Sequence, residues 1–497
     1  MPVARLLRPE STMDNSSAPR PELKLGTNIL YGVGSVAFGV HLTALTSLLL
    51  LFYNQVIGLP AAWVAGAMMV TSIFDAICDP LIGEWSDHTS SRWGRRHPFM
   101  YASALPIGIV FYMLWNPPHG WSNQALVVYL IAMLVLVRVL LSLYEIPSQA
   151  LAPELTLDYD QRTSLMSWRF FFGTLGGAAM GVLTFQVFLR HDATHPLGVL
   201  NRAGYSYYAL TAGIVMFVSI MISCLGTHRF ITNLVREPKR QQSLSQLLHE
   251  LTGTLSNRSF LALMVSGIVG AVSGGLISSL DLYFTNYYWE LSPKQIPYFS
   301  VIALLAAFLG VGLAPLASKR FGKKHSMIGL FVLSTLTGAG PVTLRLLGWF
   351  PENHSPFLLP LLLVNYMMVA TFALSGFIIV SSMMADVVED AAVVTGQRSE
   401  GLLFAANGLL NKCVTGAGTF LSGLLLAAVH FPQGAVQGHV DPLVLRHLAL
   451  VFVPITVTCS MISIGVLLFY NIDRDTHLQN VERLGEAPPE AKVARAV

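Results

Sequence analysis

The amino-acid sequence predicts an all-α integral membrane protein of twelve transmembrane helices in two six-helix bundles. Three observations lead there. Apolar runs recur along the 497-residue chain, each long enough to cross a hydrocarbon core of about 30 Å as a helix. Charged residues make up 11% of the composition against 53% hydrophobic, whereas a soluble domain carries about 25% charged. A basic hexapeptide also recurs at corresponding places in the two halves.

The spans fall in order at residues 27–53, 61–85, 99–117, 124–150, 164–189 and 206–226, and then at 259–289, 296–318, 326–346, 356–386, 399–431 and 447–471. Residues 1–26 hold Arg5, Arg8, Pro9, Glu10, Arg20 and Pro21 with no apolar core, so they read as a tail on the cytoplasmic side and not as a signal peptide. Residues 472–497 read as a second such tail. Between the halves, 227–258 is polar and basic, with Arg229, Arg236, Lys239, Arg240 and Arg258. Within it Leu244, Leu247, Leu248 and Leu251 recur at helical spacing, as in an amphipathic helix lying at the membrane surface. Cys78, Cys224, Cys413 and Cys459 lie in or at the ends of apolar runs without CxxC spacing, so neither a disulfide framework nor a zinc site is expected.

Of the 30 lysines and arginines, 22 fall in the two tails and in the loops after even-numbered spans, and 5 on the opposite side. Positive charge collects on the cytoplasmic side, so both termini are expected there. The repeated hexapeptide is Arg92-Trp93-Gly94-Arg95-Arg96-His97 after span two and Arg320-Phe321-Gly322-Lys323-Lys324-His325 after span eight. A parallel repeat of six helices predicts the major facilitator fold, with a solute site between the halves near the midplane. The bundles are then 27–226 and 259–471.

Charges inside the spans mark a wet cavity or a partner, because a lone one costs about 2.5–3.5 kcal/mol on insertion scales. Asp75 and Asp79 stand at i and i+4 in span two, on one face and a turn apart. Two anions that close repel. A bound Na⁺, a shared proton or a nearby arginine would each resolve the conflict. Arg138, Ser142 and Glu145 form a stripe on span four. Glu145 and Ser142 are candidates to complete an oxygen cage with the two aspartates, while Arg138 is a candidate counter-ion or charge pair within it. Arg169 and Lys412 supply donors for a solute. Asp281 is a carboxylate with Tyr283, Phe284, Tyr287 and Tyr288 close by in sequence, and His41 is a further polar candidate in span one. Gly173, Gly177 and Gly181, spaced by four, suit close helix packing. Asp87, Arg92, Arg95 and Arg96 in the basic loop are candidate gating ion pairs. No HExxH or GxSxG motif is present, so an enzyme is not expected.

In these residues the sequence resembles the glycoside–pentoside–hexuronide:cation symporters, the melibiose-carrier-like family of the major facilitator superfamily. The resemblance runs through both halves. It is strongest at Phe74-Asp75-Ala76-Ile77-Cys78-Asp79-Pro80-Leu81-Ile82-Gly83, at Glu145-Ile146-Pro147, at Trp168-Arg169-Phe170-Phe171, and from Ala385-Asp386-Val387-Val388-Glu389 to Lys412. It implies that Asp75, Asp79, Ser142 and Glu145 form the cation site, that Arg169 and Lys412 lie by the solute, and that Phe377 takes the place of a span-ten aromatic there. It implies Gln149 where the family has a sugar-stacking tryptophan, Gly39 where it has a sugar-gripping aspartate, and Arg138 where it has a glycine. The expected activity is cation-coupled symport of a small polar solute, a sugar or glycoside, by alternating access. The alternative is a lysolipid or other amphiphile carried with a cation. The expected partners are the solute, Na⁺ or H⁺ as coupling ion, and the lipid bilayer. No cofactor and no nucleic acid are expected, the chain is read as a monomer, and a bacterial inner membrane is favoured.

Overall fold

Twelve helices follow one another in the computed structural model, which describes residues 24–156, 159–190, 198–231, 258–292, 294–395 and 400–472. They are α1 (Leu25–Val56), α2 (Ala61–His88), α3 (His97–Leu114), α4 (Asn123–Leu155), α5 (Tyr159–Leu183, extended to Phe188), α6 (Arg202–His228), α7 (Arg258–Tyr288), α8 (Pro297–Phe321), α9 (Lys323–Leu346), α10 (Leu358–Thr395), α11 (Glu400–Ala428) and α12 (Pro442–Leu467). Eleven contain apolar stretches long enough to cross a bilayer, and in α11 the described apolar stretch, Val414–Ala428, is shorter. Among the described residues there are no strands. The tails and the amphipathic segment around Leu244–Leu251 lie outside the described residues, as do the side chains of 388–413, which include Lys412.

Backbone amides have no water to bond to in lipid, so an uninterrupted hydrogen-bonded helix is the default wherever the chain crosses. The interruptions are therefore informative. Pro80 does not end α2, which continues to His88. At Gly34–Ser35 in α1 the bonding tightens to i→i+3, with Ser35 donating to the Gly32 carbonyl at 2.9 Å and Ala37 to the Gly34 carbonyl at 3.2 Å.

Four π turns follow, at Ala44–Leu48, Phe52–Val56, Thr184–Phe188 and Phe284–Tyr288. Those that close α1 and α7 match atom for atom. Ile57 N donates to Phe52 O (3.0 Å) and Leu59 N to Tyr53 O (2.9 Å). In α7, Trp289 N donates to Phe284 O (2.8 Å) and Leu291 N to Thr285 O (3.0 Å). Each turn carries an asparagine at the same place, Asn54 and Asn286.

The repeated hexapeptide is also one structure used twice. Gly94 and Gly322 both have φ of 76°, in the left-handed region that glycine enters without steric cost. Each lets the chain reverse tightly before α3 or α9.

These two glycines lie on the terminal face, where α1 begins and α12 ends. At the opposite, far face the two halves are sealed together. Leu48–Tyr53 of α1 join one buried core with Tyr283, Tyr287 and Phe431. The Tyr283 hydroxyl donates to Asn54 Oδ1 (2.9 Å), Gln55 Nε2 to the Pro432 carbonyl (3.1 Å) and Ala435 N to Gln55 Oε1 (2.8 Å). Flanking this seal, α2 and α11 pack through small residues, Gly416 on Ser72 and Gly423 on Ala65. The α5–α8 side is looser, and the central cavity reaches it.

Candidate functional site

Two groups of mid-membrane charges stand on α2, α4 and α5. In the first, α2 and α4 interleave their side chains. Arg138 Nη1 donates to Asp75 Oδ2 (3.2 Å) and Nη2 to Ser72 Oγ (3.0 Å). The Ser142 hydroxyl lies 3.2 Å from Asp75 Oδ1 and 2.6 Å from Asp79 Oδ1. Asp75, Ser72 and Ser142 are buried, and the Arg138 side chain is 14% exposed. The repulsion expected between the two aspartates is thus met by a guanidinium.

Glu145 does not join that layer. It accepts from Arg169 Nη2 and from Gln149 Nε2 (3.0 Å) through one oxygen, Oε1. Arg169 is held from two further sides, by Ser148 Oγ at 2.7 Å and by the Tyr31 ring 5.4 Å below the guanidinium. Tyr31 is fixed in turn by donating its hydroxyl to the Ser148 carbonyl (2.8 Å). The other carboxylate oxygen, Glu145 Oε2, is buried with no hydrogen-bond partner among the described residues. Such an atom costs on the order of 1–3 kcal/mol unless something donates to it.

Glu145, Gln149 and Arg169 line one side of a cavity of about 1030 Å³ between the halves. Asp281 of α7 lines the other, with Asn365 and Tyr366 of α10 and Thr456 and Ser460 of α12. Among the described residues Asp281 has neither an ion pair nor a hydrogen bond. The remaining wall is largely apolar and includes Phe38, Leu42, Phe170, Phe299, Leu304 and Phe452.

Gly39 and Gly173 are also in the wall. A Cβ on Gly39 would lie 1.8 Å from the Gly173 carbonyl oxygen, so α1 and α5 meet at van der Waals distance only because no side chain intervenes. Gly177 belongs to the same contact, its Cβ position 2.9 Å from the Gly39 carbonyl oxygen, whereas Gly181 faces open space. The position where the resemblance implies a sugar-gripping aspartate thus has no room for one. His41 is buried on α1 away from the cavity wall. Phe377, 61% exposed, sets its ring against Phe331 (centroids 5.7 Å apart) and does not line the cavity. The Lys412 side chain lies outside the described residues.

At the terminal face the basic loop is held by a residue that the sequence alone did not single out. Glu154, near the end of α4, accepts from Arg95 Nη2 (2.8 Å) and Arg96 Nε (2.9 Å) and is 4% exposed. Arg96 also pairs with Asp87 and donates to Ser86 Oγ (2.7 Å). Arg92 lies outside this knot, with its guanidinium 5.2 Å from the Trp93 ring centre. The second half repeats the arrangement: Lys323, which stands where Arg95 does in the repeat, donates to both oxygens of Asp386 on α10 at 2.7 Å. Every one of these pairs ties helices within one half.

Known proteins similar to this chain are transporters. Over 446 aligned residues it is 25% identical to the isoprimeverose transporter of Lactiplantibacillus pentosus, covering 89% of this chain and 88% of that one. It is 24% identical to a putative glycoside/cation symporter of Escherichia coli K12, covering 95% and 99%. Among solved structures, the inward open conformation of the xylose transporter XylE of E. coli superposes with a TM-score of 0.58 at 14% identity, over 92% of this chain and 98% of that one, a likeness of fold. The family of MFS/sugar transport proteins matches residues 30–474. With twelve helices around a central cavity that carries a few charged groups in a largely apolar wall, and this match across nearly the whole chain, the protein belongs to the MFS/sugar transport protein family.

Proposed function

We propose that this protein carries a neutral sugar or glycoside across the membrane together with a cation, by alternating access of the cavity between its two halves. The observation that carries the reading is the pair of carboxylates in the cavity lining, Asp281, which is open to it, and Glu145, whose buried Oε2 lacks a donor. Carboxylate oxygens without donors suit the hydroxyls of a sugar. Arg169 is charge-matched by Glu145, so the cavity offers no uncompensated cation to an anionic solute among its described lining residues. The names of the relatives, an isoprimeverose transporter and a glycoside/cation symporter, support the same class.

The distribution of lysine and arginine favours a terminal face toward the cytoplasm, the bacterial relatives favour a bacterial inner membrane, and the chain is read as a monomer. In that orientation the far-face seal closes the outside, and the conformation is inward-facing. Rocking the halves would break the Gln55 and Asn54 contacts and bring the terminal ends together.

The test is uptake into proteoliposomes of a panel of labelled pentoses, hexoses and α- and β-glycosides under imposed proton or sodium gradients. Accumulation of at least one of them above its external concentration supports the reading. Failure of every member, with exchange also absent, would refute it. A second reading, an amphiphile with one polar end, is favoured by the apolar wall from Phe38 to Phe170 and Phe299 and by the loose α5–α8 side. A labelled lysolipid in the same assay separates the two.

A further inference from the structure

We propose that Arg138 is a tethered cation that takes the place of an alkali ion by pairing with Asp75, beside the Asp75–Ser142–Asp79 row, so that this cluster binds neither Na⁺ nor Li⁺. The inference rests on the symporter reading only in taking the cluster to be a coupling centre.

Asp75 and Asp79 bring two negative charges to one face of α2, and the one positive charge of Arg138 beside Asp75 leaves −1 on these three side chains. A bound alkali ion would give the same balance. The guanidinium already supplies it, 3.2 Å from Asp75 Oδ2, and an arginine keeps its proton at any pH the protein meets. The geometry also removes the ligands. An alkali ion needs several oxygens turning lone pairs toward one point, with no donor hydrogen there. Here Asp75 Oδ2 takes a guanidinium N–H, Ser72 Oγ takes another, and the Ser142 hydroxyl points at the aspartates. The third carboxylate that a cage would need, Glu145, is committed to Arg169. Among the described residues no three acidic, histidine or cysteine side chains converge in a metal-holding group.

Arg138 reaches this place by register. It and Ser142 are separated by one turn on α4, as Asp75 and Asp79 are on α2, so packing the two helices alternates base, acid, hydroxyl and acid along a single seam. The charged and titratable groups on the helices packed against this part of α2 are Arg138, Tyr144 and Glu145 on α4, and Lys412 and Cys413 on α11, the last two with side chains outside the described residues. With alkali ions excluded, the cation left for coupling at this cluster is the proton.

The test needs no solute. The purified full-length protein in detergent is equilibrated with radiolabelled sodium at millimolar concentration, and bound label is counted. Wild type is expected to hold no label beyond the background that remains in excess unlabelled Na⁺. Arg138→Ala and Arg138→Gln are expected to hold at least about tenfold more, since a unit positive charge within a few ångströms has gone. Adding Asp79→Asn to either should abolish the gain. Arg138→Lys, which restores the charge, should behave as wild type. Saturable sodium binding by wild type that Asp79→Asn removes would overturn the proposal. So would folded, monodisperse Arg138→Ala and Arg138→Gln proteins that bind no more than wild type. If those two do not fold, wild type and Arg138→Lys still decide it, since either one binding sodium at this cluster refutes the claim. Failure of solute uptake would leave these outcomes unchanged, so the two readings fail separately.

Discussion

Removing the charge of Glu145 should destabilise this protein more than removing Glu145 and Arg169 together. Their side chains are 13% and 6% exposed, so each charge relies on the other and not on water. Breaking a buried ion pair from one side typically costs about 3–5 kcal/mol, most of it the penalty of the partner left uncompensated. In Glu145→Gln the stranded group is the Arg169 guanidinium, which keeps only Ser148 and the Tyr31 ring. In Arg169→Gln it is the Glu145 carboxylate, one oxygen of which already lacks a donor. The double variant Glu145→Gln/Arg169→Gln strands neither and should fall only about 1–2 kcal/mol below wild type. Unfolding entropy of roughly 2.1 cal/mol/K per residue comes to about 1 kcal/mol/K over the chain. Each single variant should then melt about 3–5 °C below wild type in detergent and the double variant about 1–2 °C below. Melting monitored by intrinsic fluorescence reads all four proteins. A double variant that melts as low as the sum of the two singles, about 6–10 °C down, would mean that the pair is not coupled and the account is wrong.

Gly39→Val should shift α1 off α5 and cost at least about 1–3 kcal/mol, because its Cβ meets backbone and not a movable side chain; the monodisperse fraction after extraction should drop, and a wild-type elution profile would contradict the packing. Gln55→Leu removes two hydrogen bonds of the far-face seal, worth together about 1–3 kcal/mol. A cysteine introduced at Ala178 in the cavity wall should then react at least about fivefold faster with a membrane-impermeant thiol reagent from the outside, and an unchanged rate would argue against the seal. Glu154→Gln leaves Arg95 and Arg96 without their shared carboxylate and should lower the melting temperature by about as much as Glu145→Gln. Glu154→Asp should recover part of that loss; if both melt as wild type, the knot is not structural.

The helices were legible from sequence because a bilayer imposes length and apolarity on every span, and the observed ends differ from the expected ones mainly where helices continue past the hydrocarbon. Thus α2 runs three residues beyond 85 to His88, and α10 runs on to Thr395. The π turns were not legible, since a surplus residue in a helix leaves no mark in hydropathy. The meeting of Asp75, Asp79, Arg138 and Ser142 followed from i, i+4 spacing on two helices. Glu145 was expected in the same layer, but seven residues along α4 from Arg138 is about 10 Å of rise, which sets it level with Arg169. Glu154 escaped notice because an acid near the end of a span looks like ordinary surface charge; the basic run Arg95-Arg96 just before α3, at the start of the hairpin that Glu154 ends, was the signal that it had partners. Phe377 shows the reverse error, an aromatic assigned to the cavity by likeness alone whose ring faces α9.

The widened turns at the far ends of α1 and α7 have a mechanical consequence. A π turn stores one residue more than an α turn, and releasing that residue into the adjoining segment rotates everything beyond it by about 100°. Asn54 and Tyr283, which clasp the two halves, lie within or beside these paired inserts. The gate can therefore turn its locking side chains by sliding one unit of helical register, with the helix bodies left in place.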